Sequence, residues 1–114
     1  MIIRTVVVTA CLIGSPAFAY NCQGSIVEVA LNPSGVLTVH SPAGGLNWAY
    51  VCQVSATYNG VAAETCKAIY ASLVAAQVSG RQVQWHYNDS LSCSSRPSWA
   101  MHTGWYYGPT ILNY

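Results

Sequence analysis

Residues 61–80, VAAETCKAIYASLVAAQVSG, decide the fold. Between Val61 and Ser79 there is no Pro or Gly and Ala is abundant, which favours helix. Ala62, Cys66, Ile69, Tyr70, Leu73 and Ala76 recur at three- and four-residue steps and predict one apolar stripe. Gly80 stands where a left-handed cap commonly ends a helix, and Asn59 is a candidate for the opposite cap.

On either side of this helix the period changes to that of strands. Ser25–Leu31, with Ile26, Val27 and Val29, reads as a strand, and Asn32-Pro33-Ser34-Gly35 as a turn into a second strand, Val36–His40. Ser41–Gly45 is a loop. Asn47–Ser55 reads as a third strand, with period-two alternation placing Trp48, Tyr50, Cys52 and Val54 on one face. After the helix, Arg81–Tyr87 reads as a fourth strand with Val83, Trp85 and Tyr87 facing one way. Asn88–Ser98 is a polar loop, and Thr103–Tyr114 is expected to supply a last strand pair broken at Gly108-Pro109. Three strands, one helix and further strands predict an α+β fold, a small OB-like, partly open five-stranded antiparallel barrel with one amphipathic helix.

The N-terminal segment carries an address. Met1–Arg4 is a short positive start, Thr5–Ile13 an apolar run, and Ala17-Phe18-Ala19 a small-x-small cleavage site, the pattern of a secretory signal peptide. The apolar run is well short of the ~20 residues that span a bilayer. Val8-Thr9-Ala10-Cys11 has the form of a lipoprotein box but stands too close to Met1 for a normal apolar core. The expected organisation is therefore a signal peptide over 1–19 and one domain over 20–114, in a secreted or periplasmic bacterial protein.

Of all 114 residues only 6% are charged, with a formal net charge of +1. Nucleic-acid binding needs clustered Lys and Arg, and disorder needs high charge with low hydrophobicity, so neither class fits a chain that is 53% hydrophobic. After cleavage, three bases (Lys67, Arg81, Arg96) face three acids (Glu28, Glu64, Asp89), and the aromatic rings are Trp and Tyr with no Phe. Cys22, Cys52, Cys66 and Cys93 remain, an even set that in an exported domain reads as two disulfides with three alternative pairings. Cys66 faces the helix stripe and Cys52 lies on the preceding strand, which makes Cys52–Cys66 the preferred pairing and leaves Cys22–Cys93. Their spacing and the lack of nearby His predict no metal site.

Tyr50-Val51-Cys52, Cys66-Lys67, Tyr70-Ala71-x-Leu73 with Ala76, Gly80-x-x-Val83 and Cys93 together form a pattern. It resembles the pentameric, glycan-binding B subunits of the subtilase cytotoxin and typhoid toxin group and their small exported bacterial relatives. The likeness spans most of residues 22–114 through cysteine spacing and helix composition. It implies an OB-like fold, export, a homopentameric ring and recognition of a glycan or glycoprotein. None of that family's sugar contacts is matched residue by residue, and no catalytic A subunit is encoded here.

The candidate ligand-binding residues are Trp99, His102, Trp105, Tyr106 and Tyr107, with Arg96 nearby and Trp48 beside the Pro-Gly-Gly loop. Trp and Tyr offer a flat apolar body with a polar tip, which matches a sugar's C–H face and hydroxyl edge. Core packing or a subunit interface is the competing explanation for Trp105 and Tyr107, and core packing for Trp85. Catalysis would draw on His40, His86 or His102, Asp89 and the serines at 90, 92, 94 and 95. None of these lies in a nucleophile or phosphate-loop motif, and Glu28 and Glu64 do not form the carboxyl pair of a glycosidase. The expectation is a binding protein, not an enzyme, with no cofactor; a protein-docking or inhibitory module is the alternative.

Overall fold

The computed structural model describes residues 19–114. The expected signal peptide over 1–19, all but its last residue, and the lipoprotein-box tetrapeptide lie outside the described residues. The fold is α+β: strands β1 (Tyr20–Ser25), β2 (Glu28–Leu31), β3 (Val36–Ser41), β4 (Leu46–Gln53), β5 (Gln82–Tyr87) and β6 (Trp105–Ile111), with helix α1 (Ala63–Ser79) between β4 and β5. They form two antiparallel three-stranded sheets, ordered β1-β5-β6 and β2-β3-β4. The expected five-stranded barrel is thus replaced by six strands in two sheets that do not close. Part of the reason is an additional strand: the predicted first strand, Ser25–Leu31, is strand only over Glu28–Leu31, and the unpredicted β1 precedes it, so β1 pairs with β5 while β2 pairs with β3.

Helix α1 starts at Ala63 with Ala62, not Asn59, at its N-cap. Cys66, Ile69, Leu73 and Ala76 are buried along one stripe, Tyr70 is half-buried against the core, and Ala62 is exposed. Burial of a side chain such as Leu73 stabilises by about 1.5–3 kcal/mol. At the far end Gly80 has φ 70°, its N–H reaches the Gln77 carbonyl at 3.3 Å, and the Arg81 N–H bonds Ala76 O at 3.0 Å. This is the Schellman stop that a residue with a Cβ adopts only at a cost.

The core joins α1 to both sheets through Leu37, Val39, Leu46, Ala49, Val51, Val83, Trp85 and Tyr87. Both preferred disulfides are formed, each with a Cα–Cα distance of 5.7 Å. Cys52–Cys66 ties β4 to the first turns of α1; Cys22–Cys93 ties β1 to the late loop. In the chain-entropy model they contribute about 3 and about 4 kcal/mol respectively.

Two irregular strands depart from expectation. On β4, Ser41 pairs with Leu46 and Val39 with Ala49, so Asn47 and Trp48 together oppose the single residue His40. A second extra residue, Val51, sits between the Leu37–Cys52 and Thr38–Tyr50 pairs. Each bulge resets the two-residue alternation. Trp48, Tyr50, Cys52 and Val54 therefore do not share a face: Ala49, Val51 and Cys52 are buried while Trp48 and Tyr50 stay half-exposed. On β6 the expected strand pair is one strand that runs through a cis Gly108-Pro109 bond. Pro lacks an N–H but is tolerated on an edge strand and at a bulge. Gly108, at φ 115°, lets the chain pass where a Cβ would lie 2.9 Å from the Gln84 carbonyl.

Candidate functional site: an aromatic row across three chain segments

The bulge on β4 holds Trp48 in the left-handed region at φ 56° and aims its ring at His40, the residue opposite. The two rings stack at 4.4 Å between centroids with planes 7° apart. Beyond β4, the segment Ser98–His102 runs parallel to that strand, bridged at Asn47–Ser98 and Tyr50–Met101. Its bonds are Trp99 N–H to Asn47 O at 3.0 Å, Tyr50 N–H to Ala100 O at 2.9 Å and His102 N–H to Tyr50 O at 2.9 Å. Trp99, also left-handed at φ 53°, stacks on Trp48 at 5.1 Å with planes 8° apart. The rings stand on neighbouring extended segments, whose lateral spacing of about 4.8 Å sets the stacking distances. The row ends on one side at Trp99, 59% exposed. On the other side Glu28 is the cross-strand partner of His40.

A non-glycine residue in the left-handed region costs roughly 1–2 kcal/mol. Two such tryptophans in contact, one of them largely in solvent, are poorly explained by folding energetics, and backbone strain of this kind gathers at functional sites. His40 Nδ1 lies buried in the row with no hydrogen-bond partner among the described residues.

The other sequence-predicted residues divide. Arg96 is 5% exposed and belongs to a polar network under the loop. Its Nη1 donates to Asp89 Oδ2 at 2.7 Å and to the Tyr20 hydroxyl at 2.8 Å, its Nη2 donates to the Thr103 carbonyl, and its guanidinium lies 3.9 Å over the Tyr87 ring. Tyr20 in turn donates to Asp89 Oδ1, which also accepts the Leu91 N–H at 3.1 Å. Partial burial alone would raise the Asp89 pKa, but the hydrogen bonds from Tyr20, Arg96 and Leu91 and the Arg96 charge together hold it below its ordinary value. Tyr20 and Tyr87 are both pushed up, first by burial.

His102, 3% exposed, closes this network. The Tyr87 hydroxyl spends its proton on Gly44 O at 2.9 Å, so the 3.0 Å contact to His102 Nε2 requires Nε2–H to donate. Burial, helped by the Arg96 charge, pulls the His102 pKa down to about 3 and keeps the ring neutral. Trp105 is half-buried, edge-on to Trp85 at 5.2 Å. Tyr106 and Tyr107 are 55% and 62% exposed beside His86, because Tyr106 is an extra residue in the β5–β6 register.

Of the predicted ligand residues, then, the structure brings Trp48 and Trp99 together, buries Arg96 and His102 as scaffold, and sets Tyr106 and Tyr107 on a separate surface. From the sequence alone His40 is only a candidate base. Its place in the row depends on the β4 bulge, which leaves no pattern in the sequence. The candidate catalytic groups are not assembled: Asp89 is committed to Arg96 and Tyr20, His86 packs on tyrosines, and Ser92, Ser94 and Ser95 bond one another. Glu64 pairs with Lys67 at 2.9 Å on the helix surface. Among the described residues no three His, Cys, Asp or Glu side chains converge as a metal site would require, and no helix is long and apolar enough to cross a membrane. Comparison with known proteins finds no matching family, no matching curated protein and no matching solved structure.

Proposed function

We propose that this chain is an exported binding module that recognises a glycan or glycoprotein on the Trp99 face of the aromatic row. The observation that carries it is a solvent-exposed indole, backed by two parallel rings and held by strained backbone. A sugar ring stacks its C–H face on such a platform. Two disulfides belong to an oxidising compartment, which supports secretion or residence in the periplasm after cleavage near Ala19. An OB-like topology is supported by the run Tyr20–Leu31, which serves both sheets in turn, and by Ser98–His102, which extends the β2-β3-β4 sheet towards β6. The resemblance of the cysteine and helix pattern to the toxin B subunits adds a homo-oligomeric ring to the proposal. Sedimentation at micromolar concentration tests that ring directly: a monomer removes it.

The protein-docking alternative has its own support in Tyr106 and Tyr107, exposed side by side on edge strand β6. A glycan array separates the two readings. Binding by the wild type that Trp99→Ala reduces at least tenfold, with an unchanged far-ultraviolet circular dichroism spectrum, supports glycan recognition. An array silent at high protein concentration, with a protein partner whose capture is lost on Tyr107→Ala, replaces it with docking.

A further inference from the structure

A concave surface that includes no residue of the row lies between the Tyr58–Val61 turn and the start of β6. It is a cleft of about 280 Å³ whose walls include Asn59, Val61, His102, Thr103, Trp105 and Tyr106. Its size suits one small ring; drug-sized ligands occupy pockets of roughly 300–1,000 Å³. No charged side chain lines it. Asn59, in the left-handed region at φ 54°, spends its amide protons on the Val51 and His102 carbonyls at 3.2 and 2.7 Å, which fixes the turn and leaves its Oδ1 free of any hydrogen bond among the described residues. The His102 ring is held by its Nε2–H on Tyr87, so Nδ1 is a bare acceptor with no partner among the described residues. Trp105 lies near-parallel to that ring, 27° between planes and 6.3 Å between centroids.

We infer that this cleft is a second binding site, for a single neutral, polyhydroxylated ring such as one hexose unit. The inference rests on the glycan-binding proposal for the choice of ligand class and assigns a separate place to it. Trp105 and Tyr106 supply the aromatic wall, His102 Nδ1 and Asn59 Oδ1 accept hydroxyl protons, and the Thr103 hydroxyl can donate or accept. No cation lines the cleft, and the Arg96 guanidinium behind it is already bonded to Asp89, Tyr20 and the Thr103 carbonyl, so the acceptors select hydroxyls over carboxylates and phosphates, whose charge would meet lone pairs. A neutral imidazole is suited to this task, since a protonated one would have no acceptor left.

The test uses the full folded chain with intact disulfides and a panel of neutral hexoses and N-acetylhexosamines, followed by amide and imidazole nitrogen resonances. In Trp99→Ala the row is disabled, so saturable shifts at Asn59–Val61 and Thr103–Tyr106, with movement of His102 Nδ1, establish the second site. Tyr106→Ala, at an exposed position, is expected to weaken those shifts about three- to tenfold, and glucuronate to produce none. Hexose shifts at Trp48 and Trp99 in the wild type with none in the cleft of Trp99→Ala overturn the second site and leave the proposed function standing. A wild-type chain that shows no shifts with any sugar overturns both.

Discussion

The loop between β5 and β6 builds two aromatic clusters with opposite fates. Under the loop, Tyr20, Tyr87 and His102 pack around the Asp89–Arg96 pair, whose side chains are 24% and 2% exposed, and their side-chain polar atoms are bonded except Arg96 Nε and His102 Nδ1. A few residues on, Trp99 leaves the same loop in strained backbone and carries its ring into solvent. The first cluster stabilises the fold; the second spends stability to present a surface. Aromatic density in a sequence therefore does not mark a binding site. What distinguishes the proposed site is exposure together with strain.

Three experiments would break or sharpen that contrast. The largest effect is expected from Arg96→Met, which strands the Asp89 carboxylate and the Thr103 carbonyl. Loss of one partner from a buried pair costs about 3–5 kcal/mol, and the partial exposure of Asp89 brings the expectation to about 3 kcal/mol. The urea midpoint reports it, and a shift below about 1 kcal/mol would mean the network contributes little.

Next comes acidification. His102 is held neutral with a pKa of about 3, whereas an unfolded His titrates near 6.5. The unfolded chain thus binds the extra proton first, and the contribution of the neutral ring, complete above pH ~6.5, is lost as pH falls towards 3. The slope reaches about 1.4 kcal/mol per pH unit. Asp89, with its lowered pKa, adds a further loss at the acid end, below its ordinary titration range. Unfolding midpoints between pH 7 and 4 measure the slope, and His102→Gln is expected to flatten it above pH 5.

The smallest effect on stability belongs to the row. Trp99→Gly relieves left-handed strain but loses a stacking contact of about 0.5–1.5 kcal/mol, so the net change is expected within about 1 kcal/mol of zero. The same variant should abolish sugar binding on that face. If it instead unfolds the protein, the row is structural and the contrast disappears.

Much of the fold was legible in the chain. The helix follows from its alanine-rich run and Gly80, the hairpin from Asn32–Gly35, and the preference for Cys52–Cys66, which leaves Cys22–Cys93, from Cys66 on the helix stripe and Cys52 on the preceding strand. The strand before Ile26 was not, because Tyr20–Ser25 is largely polar and pairs only with a segment some sixty residues later. Nor were the bulges at Trp48, Val51, Tyr106 and Gly108, since one inserted residue shifts the register without changing composition. The site suffered most. Trp48 and Trp99 could be named as candidates, but Arg96 and His102 were grouped with them by proximity in sequence, and their burial depends on Tyr20 and Tyr87 arriving from other strands.

By itself the sequence determined an α+β chain with one helix stopped at Gly80, few charges and two sulfur crosslinks, because periodicity, composition and turn residues act over a handful of positions. Only the tertiary structure decided that the sheets stay open, which rings are covered and which are displayed. Those outcomes depend on strand register and on contacts between residues far apart in the chain, and there a single extra residue turns a side chain from core to solvent.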